Sequence, residues 1–249
     1  VPRATLVAIA ELDTGRRDAL AEEFSIERAY VGYRELVEDP EVDAVYLATA
    51  PDHRLPMVLE SLAAGKHVLV QKPHAVRAPE ILEMDAAAKQ SGTVLQFCYF
   101  LRHGPDNRRI RLAVAHGAIG EPYHARVFLK YNAIPDLTDM NRWLHVYGQK
   151  GGALGQHASH EVDLVWWWMG CPEPEWAFAA KHSPYAVYDG PEGPAEDYMS
   201  AIIGLEGNKT IQVDCSRMLH WDSPTTAELY GTTGVVRGGA ISRFDGEIE

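Results

Sequence analysis

The chain lacks the features that mark a membrane, nucleic-acid-coating or disulfide-stapled protein. No apolar run in its 249 residues is long enough to span a bilayer, and no basic-then-apolar leader opens it, so no membrane partner is expected. There is no block of Lys and Arg, and 23 basic against 35 acidic side chains give a formal net charge of −12, which excludes a nucleic-acid surface. Cysteine is scarce: Cys98, Cys171 and Cys215 are widely spaced, odd in number and form no Cys-x-x-Cys pair, as expected of a reduced, cytoplasmic chain. No Gly-rich turn precedes the first strand-like run, and no internal repeat or low-complexity tract interrupts the sequence. Val1-Pro2-Arg3 leads almost at once into Thr5 to Ala10, and the chain stops on Asp245 to Glu249, so both ends read as those of a fragment.

What is present is ordinary globular material, 46% apolar and 23% charged. Over the first hundred or so residues, apolar runs alternate with helical stretches. Leu6–Leu12 is predicted to be a buried strand, and Arg16–Phe24 a helix with Leu20 and Phe24 on one face. Strands at Ala44–Ala48, His67–Val70 and Val94–Tyr99 alternate with helices at Pro56–Ala64 and Pro79–Gln90. This βαβ rhythm predicts an α/β fold with a Rossmann-like, mostly parallel sheet. Beyond it, helices at Asp106–His116 and Gly155–Met169 accompany strands at Tyr123–Tyr131, Trp176–His182, Tyr198–Leu205, Lys209–Cys215 and Thr225–Tyr230. These strands lack intervening helices, so an α+β domain with a largely antiparallel open sheet is expected, with the boundary between residues 102 and 103. Asp189 to Pro194 reads as a surface loop.

Two clusters carry candidate chemistry. Gln71-Lys72-Pro73 follows a strand directly, where open α/β sheets place ligands; a lysine there either holds a hydroxyl and stabilises a developing alkoxide or is an exposed βα-loop lysine. Pro73 biases Lys72 towards an extended conformation. The second cluster runs from Gly151 to Asp163. In helical winding Gln156, His160, Asp163 and Trp167 share one face, with His160 either a general base or a core residue packed near three tryptophans, Gln156 able to hold a hydroxyl, and Asp163 either orienting the imidazole or capping a neighbouring element. His157, His160 and Asp163 make a poor metal set, because His-x-x-His spacing is imperfect and no third strong ligand is evident, so no metal is expected. Trp166, Trp167 and Trp168 read as packing; Tyr99, Arg102, Arg142 and Trp143 stand at element ends where substrate contact and packing are both open. Glu11, ending the first strand, is either a ribose-binding carboxylate or a solvated loop acid. Arg17 suits a 2′-phosphate, so NAD and NADP both stay open, NAD placed first. The turn carrying Thr49, Pro51 and His53 is either the wall of a nicotinamide crevice or an ordinary βα turn.

Taken in order, Leu6 to Glu11, Val42 to Thr49, Ala64 to Pro73, Gly117 to Pro122, Gly151 to Asp163 and Gly231-Thr232-Thr233-Gly234 make a set that resembles the glucose–fructose oxidoreductase/inositol dehydrogenase family, often labelled Gfo/Idh/MocA. The resemblance spans about Thr5 to Gly239. It implies a nicotinamide-binding first domain, a second domain whose open sheet makes a dimer or tetramer interface, and hydride transfer to or from a carbon of a sugar, sugar derivative or cyclitol. Lys72 matches the lysine of the family's Glu-Lys-Pro motif and His160 the histidine of its Asp-x-x-x-His motif. By that match Lys72 polarises the substrate hydroxyl, His160 exchanges its proton and Glu11 binds ribose; Gln71 and Lys72 also border the cofactor, while Gln156, Asp163, Arg142 and Trp143 line the substrate.

Three departures qualify the carry-over. Gln71 replaces the family's glutamate, Gln156 replaces its aspartate, and the first strand with its Gly-x-Gly-x-x-Gly turn is not in the chain, which implies weak cofactor binding by these residues alone. Two alternatives to a dehydrogenase follow. One is a glycosidase that uses NAD transiently and releases free sugar without net NADH. The other is a non-catalytic binding or dimerising relative.

Overall fold

The computed structural model describes residues 4–130, 152–184, 193–217 and 226–244. Arg142, Trp143 and Gly151, with most of the expected 189–194 loop, lie outside the described residues. The chain divides into two compact units, Val1–Cys98 and Tyr99–Glu249. No helix among the described residues is long and apolar enough to cross a membrane.

In the first unit every strand pairing is parallel. Strand β1 (Ala8–Ala10) pairs with β2 (Arg28–Tyr30), and β3 (Ala44–Leu47), β4 (His67–Gln71) and β5 (Leu95–Cys98) form a second sheet in that order. The Rossmann-like sheet is thus present as two hydrogen-bonded pieces. Helices α1 (Thr14–Glu23), α2 (Tyr33–Glu38), α3 (Arg54–Ala63) and α4 (Ala78–Ser91) connect the strands. Each begins or ends where its sequence dictates. The Asp13 carboxylate accepts the Arg16 N–H at 2.9 Å to cap α1, and α4 stops at Gly92 in the left-handed region. The core is made by alternate residues of β3 and β4 (Val45, Leu47, Val68, Val70) meeting Val58 and Leu62 of α3 and Met84 and Ala88 of α4.

Three expectations need correction here. The first strand is only three residues long and its flanks, Leu6 and Leu12, are 61% and 79% exposed, because β1 has a neighbour on one side alone among the described strands. Phe24 is the exposed C-cap of α1, a helix with no buried residue, so the apolar-face argument fails for it. Strand β2 and helix α2 were not foreseen, since Arg28–Tyr30 and Tyr33–Glu38 are too short and polar for periodicity to register.

In the second unit seven strands form one sheet. These are β6 (Pro122–Lys130), β7 (Pro174–His182), β8 (Tyr198–Leu205), β9 (Lys209–Ser216), β10 (Thr226–Gly231), β11 (Gly234–Arg237) and β12 (Ala240–Arg243). Their order is β12-β11-β10-β6-β9-β8-β7, antiparallel except between β6 and β9. One face is covered by α5 (Pro105–Ala115) and α6 (Ser159–Trp168): Ile110, Val114, Leu164, Val165 and Trp168 pack on Ala125, Val127, Ile211, Val213 and Leu229. The opposite face stays open, with Trp176, Phe178 and Ile202 exposed on it. The last two strands, β11 and β12, were not expected; they are short and follow a turn in which the Thr232 hydroxyl accepts the Glu121 N–H at 3.0 Å.

Two buried acids organise this unit. The Arg217 guanidinium and the Asp197 carboxylate, each 1% exposed, pair at 2.9 Å. Beside them, Glu196 caps the start of the segment leading into α6. Its carboxylate accepts the Leu154 N–H at 2.9 Å, and its carbonyl accepts the Ala153 N–H at 3.0 Å. Gly152 makes this possible. Its φ is +103°, and a methyl group at that position would collide with the Glu196 carboxyl.

Two substitutions test this account. Arg217→Met, which removes the guanidinium paired with the buried Asp197 carboxylate, is expected to cost about 3–5 kcal/mol in urea unfolding. Gly152→Ala is expected to lose about 1–3 kcal/mol from backbone strain alone, before the collision, read in the same titration.

Candidate active site

The sequence candidates fall into one group in each unit. In the first unit they stand after the carboxyl ends of parallel strands. Glu11 follows β1; its Oε1 accepts the Asp13 N–H at 3.1 Å, and its Oε2 lies 3.8 Å from the Arg16 guanidinium. Arg17 is held by its neighbour Asp18 at 2.7 and 2.9 Å. Thr49 follows β3, and its hydroxyl meets the Met57 sulfur at 3.5 Å. Pro51 is buried at the start of a 3₁₀ turn, Pro51–His53, whose exposed His53 lies 3.9 Å from Asp52.

Gln71 ends β4 and turns its amide back on the chain. Its Nε2 donates to the Tyr46 hydroxyl at 2.7 Å, and its Oε1 accepts the Lys72 N–H at 2.8 Å. The Lys72–Pro73 peptide is cis. His74 beyond it is buried against the Phe97 ring, centroids 4.7 Å apart.

The side chain beneath this loop was not foreseen. Arg54, at the start of α3, is 2% exposed and donates to the carbonyls of Thr49, Gln71 and Pro73. Burial lowers its pKa to about 10, so it remains a cation near neutrality. A signal existed in the sequence: Arg54, Val58 and Leu62 recur every four residues, which puts the arginine on the buried face of α3.

In the second unit the expected helix does not begin as an α-helix. Ala153–Ala158 is a π-helical turn, closed by the Ser159 N–H on the Leu154 carbonyl, and α winding starts only at Ser159. The single-face argument therefore holds for His160, Asp163 and Trp167 but not for Gln156, which lies across the change in winding. His160 is buried, with the Phe100 ring edge-on at 4.6 Å and Tyr99 at 6.0 Å. One turn on, Asp163 accepts two hydrogen bonds from Arg102, at 2.5 and 2.7 Å. The rings of Tyr99, Trp166 and Trp167 stand 5.8–5.9 Å from that guanidinium.

Electrostatics here follow from burial. It pushes the Asp163 carboxyl up against the pull of Arg102, whose own guanidinium is held above its ordinary value by the bond to Asp163. The bidentate contact ties α6 to the 3₁₀ turn Phe100–His103 that borders His160. Burial also raises the Tyr99 phenol to about 12, so it is uncharged near neutral pH.

Residues 1–99 match the family model for the oxidoreductase family with NAD-binding Rossmann fold, and residues 107–237 match that of the GFO/IDH/MocA C-terminal domain. The trans-1,2-dihydrobenzene-1,2-diol dehydrogenase of Mus musculus is 32% identical over 234 residues, covering 93% of this chain and 66% of the mouse protein. The 1,5-anhydro-D-fructose reductase of Ensifer adhaerens is 32% identical over 239 residues, covering 94% of this chain and 68% of its own. Among solved structures, an NAD binding oxidoreductase from Klebsiella pneumoniae aligns with a TM-score of 0.86 at 24% identity, over 98% of this chain and 68% of that one. The chain thus spans about two thirds of the length of these relatives. Matched by family models across both units, it belongs to the Gfo/Idh/MocA family of oxidoreductases, an NAD-binding Rossmann domain followed by the family's C-terminal domain.

Proposed function

We propose that the protein is an NAD-dependent dehydrogenase or reductase acting on a hydroxyl or keto carbon of a sugar, sugar derivative, diol or cyclitol. The observation that carries this reading is Lys72 fixed at the carboxyl end of β4, in a domain of an NAD-binding family. The residues present fit the cofactor: Glu11 offers a carboxylate to a ribose diol, and the Thr49–Pro51 turn and the Gln71–Lys72 loop follow two adjacent parallel strands. When bound, nicotinamide accepts or donates the hydride. Lys72 donates a hydrogen bond to the reacting oxygen and stabilises negative charge as it develops there. His160 takes the hydroxyl proton in the oxidation and returns it in the reduction. Asp163 and Arg102 hold the helix that carries the imidazole, and Gln156 offers a neutral amide to substrate.

Support for the substrate class comes from the mouse diol dehydrogenase and the anhydrofructose reductase. The same reading makes the open face of the seven-stranded sheet, with Trp176, Phe178 and Ile202, a contact between copies of the chain, and puts the protein in the cytoplasm with its three cysteines reduced.

In the full-length protein, Lys72→Met and His160→Asn are each expected to lower kcat by roughly 10²–10⁴-fold on an active sugar or diol, with the Kd for NADH changed by less than about threefold in His160→Asn. Unchanged kcat in both would remove the reading. Cofactor choice is tested at Glu11. Its carboxylate repels a 2′-phosphate, and Arg17 is already engaged by Asp18. Glu11→Ala is expected to weaken NADH and strengthen NADPH binding, by about 1 kcal/mol or more each, read by fluorescence titration.

A further inference from the structure

Arg54 is a buried cation whose hydrogen-bond partners are carbonyl oxygens rather than a carboxylate. Tyr46 and Asp52 are the acidic groups that act on it electrostatically. Burying a guanidinium is costly, and a site retains one where its several donors satisfy groups that nothing smaller could reach together. The three carbonyls belong to two separate stretches. Thr49 lies in the turn after β3, while Gln71, the last residue of β4, and Pro73 in the loop that follows flank Lys72. Thr49 and Pro73 lie beyond the strands and Gln71 ends one, so all three carbonyls stand where regular pairing stops.

We propose that Arg54 is a positioning residue that clamps the backbone on both sides of Lys72 to the turn after β3, so that the lysine and the cofactor-side turn hold a fixed separation. The Gln71 amide adds a lighter tie, accepting the Lys72 N–H and donating to the Tyr46 hydroxyl on β3, while Arg54 reaches the carbonyls on both sides of Lys72 together with that of Thr49. A lysine, with one ammonium on a flexible stem, cannot supply the planar fork that Arg54 directs at three oxygens. The consequence for catalysis rests on the reading of Lys72 given above; the clamp itself does not.

The experiment uses the full-length protein and reads Lys72 without turnover. Reductive dimethylation of Lys72 is followed by mass spectrometry in the wild type, Arg54→Met and Arg54→Lys, each verified as folded by a cooperative melt. The expected result is faster labelling of Lys72 by about tenfold in Arg54→Met, labelling of the other lysines unchanged, and reversal by added methylguanidine. Arg54→Lys, which keeps the buried charge, serves where the Met variant does not fold, and its Lys72 labelling is still expected to rise. Unchanged Lys72 labelling in a folded variant would overturn the clamp. A parallel kcat and KM measurement separates the two ideas. A drop in kcat that methylguanidine restores, with KM for substrate little changed, supports positioning. Faster labelling beside a fully active Lys72→Met variant keeps the clamp and removes the catalytic role of the lysine.

Discussion

A carbonyl or N–H that leaves a strand or begins a helix loses its regular partner, and inside a protein it must find another. Both groups of candidate residues are arranged by that requirement. In the first unit, carbonyls at the ends of β3 and β4 converge on the Arg54 guanidinium, and the loop that carries Lys72 takes its course from those bonds. In the second, the N–H groups of Ala153 and Leu154 are taken by Glu196, and the segment carrying Gln156 and His160 starts from there. Most of the candidate side chains stand where regular structure stops or begins, where the backbone can be aimed; the cost is a set of buried polar groups that each need a specific partner.

The charges follow the same logic. Asp197 with Arg217 is almost fully buried, so removing either takes a charged partner from the other inside the protein, and the pair ties the segment before β8 to the end of β9. Arg102 with Asp163 is partly exposed and ringed by aromatics, and it fixes α6 to the turn that borders His160. Gln71 shows how a departure from the family pattern can be accommodated. An amide both donates to Tyr46 and accepts from Lys72, whereas a glutamate carboxylate there would accept a hydrogen bond from the tyrosine hydroxyl instead. The loop keeps its support with a changed direction of one hydrogen bond.

Much of this was legible beforehand. Alternation in Val68 and Val70 and the helical runs around them announced the parallel sheet. The run of strands from Tyr198 to Cys215 without helices announced the antiparallel one, and the positions of Lys72 and His160 stood out from their neighbourhoods. The elements that escaped, β2, α2, β11 and β12, are three to six residues long, too short for a period to show. The π turn escaped for a different reason. Residues 153–158 have a sequence that suits a helix, and their winding is set by Gly152 and by a carboxylate more than forty residues downstream.

The sequence by itself determined which residue types were available and the class of each domain, because apolar periodicity is a local property that folding preserves. It marked Lys72 at a strand end, His160 within a helix and Glu11 after a strand. Only the tertiary structure decided which polar groups are paired: Arg54 with three carbonyls from two loops, Asp163 with Arg102, and Glu196 with the start of the π turn. Those pairings join residues up to 61 positions apart. Their partners are chosen by burial, which makes an unsatisfied polar group too costly to leave, and burial belongs to the folded chain as a whole.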